Sequence, residues 1–196
     1  GRFSLNIENK KYDFRVSSMP TLEAESIVLR ILDNKNINKN LQTLGISSNL
    51  FEILTQALKL TQGLILISGP TGSGKTTTLY SILQELNCEE KKIITVEDPI
   101  EYKIDSICQI PINNKIGLSF ELVLRNILRQ DPDIIFIGEI RDKFSLDIAL
   151  QASLTAHWVI ASIHANNAVE RILRLIDLQA DPFLISSTLR LVMGQR

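Results

Sequence analysis

Four short apolar runs punctuate the middle of the chain: LILI (64–67), IITV (93–96), IIFI (134–137) and VIASI (159–163). Around them the apolar spacing switches to the three-and-four period of an amphipathic helix, over 75–87, 119–130, 145–154, 167–178 and 182–192. Strands apolar on both faces, interleaved with helices, predict an α/β fold with a mostly parallel sheet covered on both sides. One more helix is predicted ahead of the first run. It is capped by Ser47 or Ser48 and runs to about Leu60, with Leu50, Ile53, Leu54, Ala57 and Leu58 on its apolar side. The region before residue 40 has a different rhythm. RFSLNI and YDFRVS alternate about a polar turn at 8–11 and read as a β-hairpin, and SIVLRIL (26–32) reads as a further strand. The polar stretch DNKNINKN (33–40) has the composition of a linker, which places a boundary near residue 40. The chain opens inside a strand pattern and stops directly after a periodic segment, which predicts a piece of a longer protein.

Composition narrows this picture. A chain of 196 residues with 44% hydrophobic content can bury one good core with a small appended module. Lys and Arg number 21 against 22 Asp and Glu, a formal net charge of −1, so the basic excess of a general nucleic-acid binder is missing. No apolar run approaches the ~18 residues of a membrane-spanning helix. Cys88 and Cys108 follow no metal-ligand spacing and read as two ordinary thiols of a cytoplasmic protein.

The chemistry begins after the first apolar run. Gly69, Pro70, Thr71, Gly72, Ser73, Gly74, Lys75 and Thr76 fit G-x-x-x-x-G-K-[ST], with Thr77 next in the predicted helix. Glycines let the backbone fold into a nest of N–H donors around phosphate oxygens. The helix N-terminus adds about half a positive charge. Lys75 can reach the β- and γ-phosphates, and the Thr76 hydroxyl can serve Mg²⁺. The dinucleotide fingerprint fits less well, because Thr77 stands where its third glycine belongs.

Parallel sheets bind ligands at the carboxyl ends of their strands, and the carboxylates lie there too. IIFI leads through Gly138 to Glu139, an acid that can hold the metal's water shell or orient an attacking water. IITV leads to Glu97, Asp98 and Glu101, three acids that repel unless a cation balances them. Mg²⁺ can do so, and so can Arg141 or Lys103, which leaves a metal-side role and a structural charge network both open. His164 follows VIASI at the ligand edge; His157 lies at the opposite end of that strand. Arg15 and Arg30 sit on strand-like segments ahead of the linker, where they read as a solvated face or as arginines supplied from outside the nucleotide domain. Arg125 and Arg129 share a helix face, solvated or turned to a neighbouring subunit.

Taken together, these motifs resemble the secretion-superfamily ATPases, the hexameric motors of type II secretion and type IV pilus assembly with relatives in DNA uptake and conjugation. The resemblance runs from RVSSMPT and IVLRILD through GPTGSGKTTTLY, TVEDPIE, LRQDPDIIFIGEIRD and TAHWVIASIHANNA to PFLISSTLRLVMGQR. The stretch ICQIPINNKIGLSF is similar to the secretion and pilus-extension branch more than to the retraction branch. The resemblance implies a RecA-like P-loop core over 41–196, truncated at its carboxyl end. It also implies part of a small α+β domain, N2-like and PAS-like, with a linker over 1–40. Lys75 and Thr76 match the Walker A pair, and Glu97, Asp98 and Glu101 fall in the family's "Asp box". Glu139 matches its Walker B glutamate. His157 and His164 match its "His box", with His164 as γ-phosphate sensor, and Arg15 and Arg30 match arginines brought to the phosphates. Catalysis is expected from Lys75, Glu97, Glu139, Arg15, Arg30 and His164, with Mg²⁺ held by Thr76, Asp98 and Glu139.

The implied cofactors are ATP or ADP and Mg²⁺, with no zinc in this segment, since the four-cysteine module of many relatives cannot be built from two cysteines. The implied partners are further copies in a homo-hexamer, an inner-membrane platform and cytoplasmic secretion or pilus components. The implied location is cytoplasmic and peripheral to a bacterial inner membrane. Departures from the family pattern are Ala156 for its usual glycine in Thr-Gly-His, Ala165 for threonine in Leu-His-Thr, and Ala24-Glu25 for Gly-Glu. An ATP-gated assembly switch that hydrolyses little, and a DNA-uptake or translocation motor, are the rival readings. The near-neutral charge argues against the second.

Overall fold

The computed structural model describes residues 1–8, 10–32, 40–163, 173 and 175–196. Two compact units emerge, Gly1–Asn38 and Lys39–Arg196.

The first unit is a three-stranded antiparallel meander, β1 (Arg2–Ile7), β2 (Lys10–Pro20) and β3 (Glu25–Leu32), in that order. Period-two alternation and the register put Phe3 opposite Phe14, Phe14 opposite Ile31, and Val16 opposite Leu29 on one face. The Phe3 and Phe14 rings stack with centroids 5.0 Å apart. Arg15 stands directly opposite Arg30 on the other face. The hairpin turn is tighter than the sequence suggests. Lys10 and Lys11, expected in the turn, pair with Ile7 and Asn6.

The second unit is a six-stranded parallel sheet in the order β6-β5-β7-β8-β4-β9. Its strands are β4 (Gly63–Ser68), β5 (Ile93–Glu97), β6 (Cys108–Pro111), β7 (Ile134–Ile140), β8 (Trp158–Ile163) and β9 (Leu189–Gly194). Its described α-helices are α1 (Ser48–Leu58), α2 (Lys75–Leu86), α3 (Phe120–Ile127), α4 (Lys143–Leu154) and α5 (Pro182–Thr188). Alternate residues of each central strand feed two cores. Leu64, Leu66, Val96, Ile137 and Val159 pack with Leu124 of α3 and Leu146 and Leu150 of α4. Ile65, Ile67, Phe136 and Ile160 pack with Leu54 of α1 and Leu79, Ile82 and Leu83 of α2. Burial on both faces is why β4, β5 and β8 read as unbroken apolar runs.

Two strands correct the sequence reading. The helix expected over 182–192 stops at Thr188, and Leu189–Gly194 is the edge strand β9, parallel to β4. The register slips between Leu64 and Ile65, so Arg190 bulges. The bulge breaks the alternation and leaves a spacing that also suits a helix. β6 is a further strand outside the sequence reading: CQIP is a four-residue edge strand with no buried position, too short to show a period. The helix expected over 167–178 lies largely outside the described residues.

Helix α4 ends in a Schellman-type cap. Thr155 is the C-cap, Ala156 takes φ +66°, and the His157 N–H donates to the Ala152 carbonyl at 3.3 Å. Left-handed backbone costs an L-residue about 1–2 kcal/mol, so this alanine sits where glycine is preferred. Ala156→Gly is expected to stabilise the protein by about 1 kcal/mol, read as a higher denaturation midpoint. An unchanged or lower midpoint would mean that the alanine is not strained.

Candidate active site

The motif loop joins β4 to α2, as its sequence context required. Gly72 and Gly74 take φ +83° and +86°, a conformation that side chains resist, and α2 starts directly at Lys75. The Lys75 ammonium donates to the Gly69 carbonyl at 2.6 Å and the Pro70 carbonyl at 2.9 Å. Its pKa lies below the ordinary lysine value because burial disfavours the charge, while the nearby Glu139 carboxylate opposes the shift.

β7 delivers Glu139 to the same place. The register runs from Ile137 opposite Ala161 to Ile140 opposite Ile163, so Gly138 and Glu139 together face Ser162 in a bulge. Ser162 Oγ donates to the Gly138 carbonyl at 2.5 Å and pins it. A Cβ on Gly138 would lie 3.1 Å from the Val96 carbonyl oxygen, a tight contact that favours glycine here. The turn into α4 is fixed by a capping box in which Asp142 accepts from the Ser145 N–H at 2.8 Å. Between these fixed points Arg141 Nε donates to Glu139 at 2.7 Å, and Arg141 Nη1 reaches Asp98 at 3.4 Å. Glu139, followed by Asp98, holds the guanidinium pKa above its ordinary value.

The acidic cluster divides by environment. Glu97 is 3% exposed and faces α2. It accepts hydrogen bonds from Tyr80, from Thr95 at 2.6 Å and from Gln109 at 3.3 Å. Burial pushes its carboxyl pKa up, and the three donors pull against that. Tyr80 also accepts from the Glu101 N–H at 3.2 Å, tying the acidic loop to the phosphate-loop helix. Asp98 instead faces Arg141. Of the two basic partners the sequence offered, Arg141 joins the cluster. Lys103 pairs with its neighbour Asp105 at 3.0 Å, with both side chains in solvent.

A cleft of about 500 Å³ opens at this edge, lined by the loop, Glu97, Asp98, Glu139 and Arg141. That is ample for a nucleotide. Lys75, Thr76, Thr77, Glu97, Asp98, Glu101 and Glu139 thus meet at one cleft. His157 does not join them: it sits at the amino end of β8, its Nδ1 3.2 Å from the Ala152 carbonyl and from Thr155 Oγ1. His164 lies outside the described residues. Arg15 and Arg30 line a hollow of about 380 Å³ on the first unit. Arg125 caps the Phe144 ring at 5.2 Å and pairs with Glu121, and Arg129 bonds Asn126. Sequence reasoning missed Tyr80 and Gln109. Thr95 alone carried a signal, lying two positions before Glu97 and so on the same strand face.

A family model described as type II/IV secretion system protein matches residues 1–196. The chain belongs to this family. Among relatives, it is 46% identical to the type II secretion system protein E of Pseudomonas aeruginosa and 48% identical to the type II secretion system ATPase E of Vibrio cholerae. All 196 residues align in both cases, covering 39% of each relative, so the chain spans about two fifths of their length. Among solved structures, the pilus retraction motor PilT with bound ADP shares 30% identity at a TM-score of 0.80, over 100% of this chain and 58% of PilT. The ATPase DotB of Yersinia pseudotuberculosis shares 27% at a TM-score of 0.80, over 100% of this chain and 56% of its own. Family membership confirms the α/β P-loop architecture expected from the alternating runs. No helix of the described residues is long and apolar enough to cross a membrane.

Proposed function

We propose that this chain is the nucleotide-binding part of an ATP-hydrolysing hexameric motor for type II secretion or type IV pilus assembly at a bacterial inner membrane. The observation that carries the reading is the convergence on one cleft of the phosphate loop of β4–α2 and the bulge-borne Glu139 of β7. Residues 41–196 form the ATPase domain in this reading, and residues 1–40 are part of the preceding N2-like domain with its linker.

The residues suit a magnesium nucleotide. Among the described residues no cluster of three or more His, Cys, Asp or Glu is placed to hold a metal alone. Mg²⁺ is usually held by one or two carboxylates together with phosphate oxygens and water. The Thr76 hydroxyl, Glu139 and Asp98 are hard oxygen donors at one cleft, and Arg141 bridges the two acids. Bound Mg²⁺ supplies charge neutralisation for the transferring phosphoryl group.

The chain's own groups account for the rest. The N–H donors of the loop hold phosphate, and Lys75 exchanges its two carbonyls for phosphate oxygens. Glu139 leaves Arg141 to orient the attacking water, and Glu97 holds the acidic loop through Tyr80. Arg15 and Arg30 add charge to the phosphates late in the reaction. Like charges directly opposite on a sheet are destabilising, so this cross-strand pair supports an anion-binding role. His164 acts as γ-phosphate sensor by family resemblance. The partners are further copies in a ring, the inner-membrane platform and cytoplasmic components of the machine, and the location is the cytoplasmic side of that membrane.

The test is ATP turnover by the full-length chain with Mg²⁺. Turnover no faster than background while nucleotide binds would favour the rival, an ATP-gated switch. One observation speaks for that rival: Lys75 and Glu139 are both engaged by the protein's own groups.

A further inference from the structure

Behind the phosphate loop lies a residue that the ATPase reading leaves without a role. Gln195 follows the edge strand β9 and is held at two points. Its backbone N–H donates to the Ser68 carbonyl at 2.9 Å, which carries the β9–β4 pairing up to the mouth of the loop. Its side-chain Nε2 donates to Thr78 Oγ1 at 2.9 Å, and Thr78 is a buried residue of α2. The loop is shaped around this anchor. A Cβ on Gly69 would overlap the Gln195 carbonyl and lie 2.6 Å from Ser73 Oγ; a Cβ on Gly74 would lie 3.2 Å from Gln195 Nε2. Two of the loop's glycines therefore leave room for Gln195.

The remaining oxygen of that carboxamide is unpaired. Gln195 Oε1 is enclosed with no hydrogen-bond partner among the described residues, and so is the Ser73 hydroxyl. One is an acceptor, the other a donor; the Ser73 hydroxyl lies beside Gly69 and the Gln195 carboxamide beside Gly74. Buried polar groups are rarely left unmatched, and each exception calls for an explanation. The state of the loop supplies one. Lys75 is folded back on the Gly69 and Pro70 carbonyls, and the Ser73 N–H donates to the Pro70 carbonyl at 3.3 Å. Lysine must leave those carbonyls to meet phosphate, which frees the front of the loop to shift, while Gln195 stays fixed by Ser68 and Thr78.

We infer that Gln195 is a positioning residue for the phosphate loop, its carboxamide oxygen receiving the Ser73 hydroxyl when the loop closes on a nucleotide. The inference rests on the nucleotide reading of the site.

The test is titration of the full-length chain with Mg²⁺-ADP, alongside denaturant unfolding without nucleotide. Ser73→Ala is expected to weaken ADP binding by about 5- to 10-fold, the worth of one hydrogen bond. It should leave the unfolding midpoint of the empty chain unchanged or raised, because it deletes a buried unpaired hydroxyl. Gln195→Leu should weaken ADP to a similar extent, the double variant should be no worse than the weaker single one, and Ser73→Thr should restore affinity. Losses that multiply in the double variant would overturn the pairing. So would Ser73→Ala with wild-type affinity, or with a lowered midpoint for the empty chain. An unmodified chain that fails to bind ADP would instead bring down the nucleotide reading, and this pairing with it.

Discussion

Lys75→Ala is expected to lower ATP turnover by at least about 100-fold, in line with the removal of a pre-positioned charge that stabilises a transition state. Lys75 opens α2 at the carboxyl end of β4, so the stem is aimed by the strand–loop–helix geometry. Its ammonium is already partly desolvated, which strengthens its attraction for phosphate and is why its pKa is depressed. Among the described residues the other cations of this edge are already paired. Arg141 is engaged by Glu139 and Asp98, and Lys103 is paired with Asp105. The substitution also removes the bonds to the Gly69 and Pro70 carbonyls, so folding is checked separately. The measurement is phosphate release at saturating ATP, with an unfolding curve as control. Turnover within about threefold of the parent would contradict the assignment of Lys75.

Glu139→Gln should give a different signature. The substitution keeps shape and hydrogen-bonding capacity but removes the charge that orients or activates water. Turnover should fall by about 100- to 10,000-fold, the range for a lost general base, while ADP affinity stays within a few-fold. The bulge that presents residue 139 depends on Gly138, Ser162 and the Asp142 cap rather than on the Glu139 charge, so the backbone should persist. Without the carboxylate charge, Asp98 is the charged partner Arg141 retains of the two, and the lysine pKa falls further because the charge raising it has gone. If turnover survives with ADP binding intact, the water is positioned by another group, and Glu97 or Asp98 becomes the candidate.

Much of this arrangement was legible in the sequence, for physical reasons that also mark where reading stopped. β4, β5, β7 and β8 announced themselves because burial on both faces demands apolar residues at consecutive positions. The phosphate loop was legible because its glycines, lysine and threonine are neighbours in sequence. β9 was not, because a bulge at Arg190 disguises its alternation. β6 was not, because four residues at a sheet edge are too few to show a period. The partners of Glu97 illustrate a deeper limit. Tyr80 and Gln109 reach it from a helix and an edge strand, and no local pattern links them. The choice of Arg141 over Lys103 was equally invisible, since it depends on how a bulge and a capping box turn the chain after Gly138. Ala156 was flagged as a departure from the family's glycine, and its positive φ supplies the reason for that glycine.

The most direct test of the central claim is ATP turnover per chain, measured with Mg²⁺ against protein concentration for the full-length protein. The motor account predicts turnover well above background that rises with concentration as chains assemble and each site gains its neighbour. Background turnover at every concentration, with ADP still bound, would contradict hydrolysis at this cleft and leave a nucleotide-gated switch in its place.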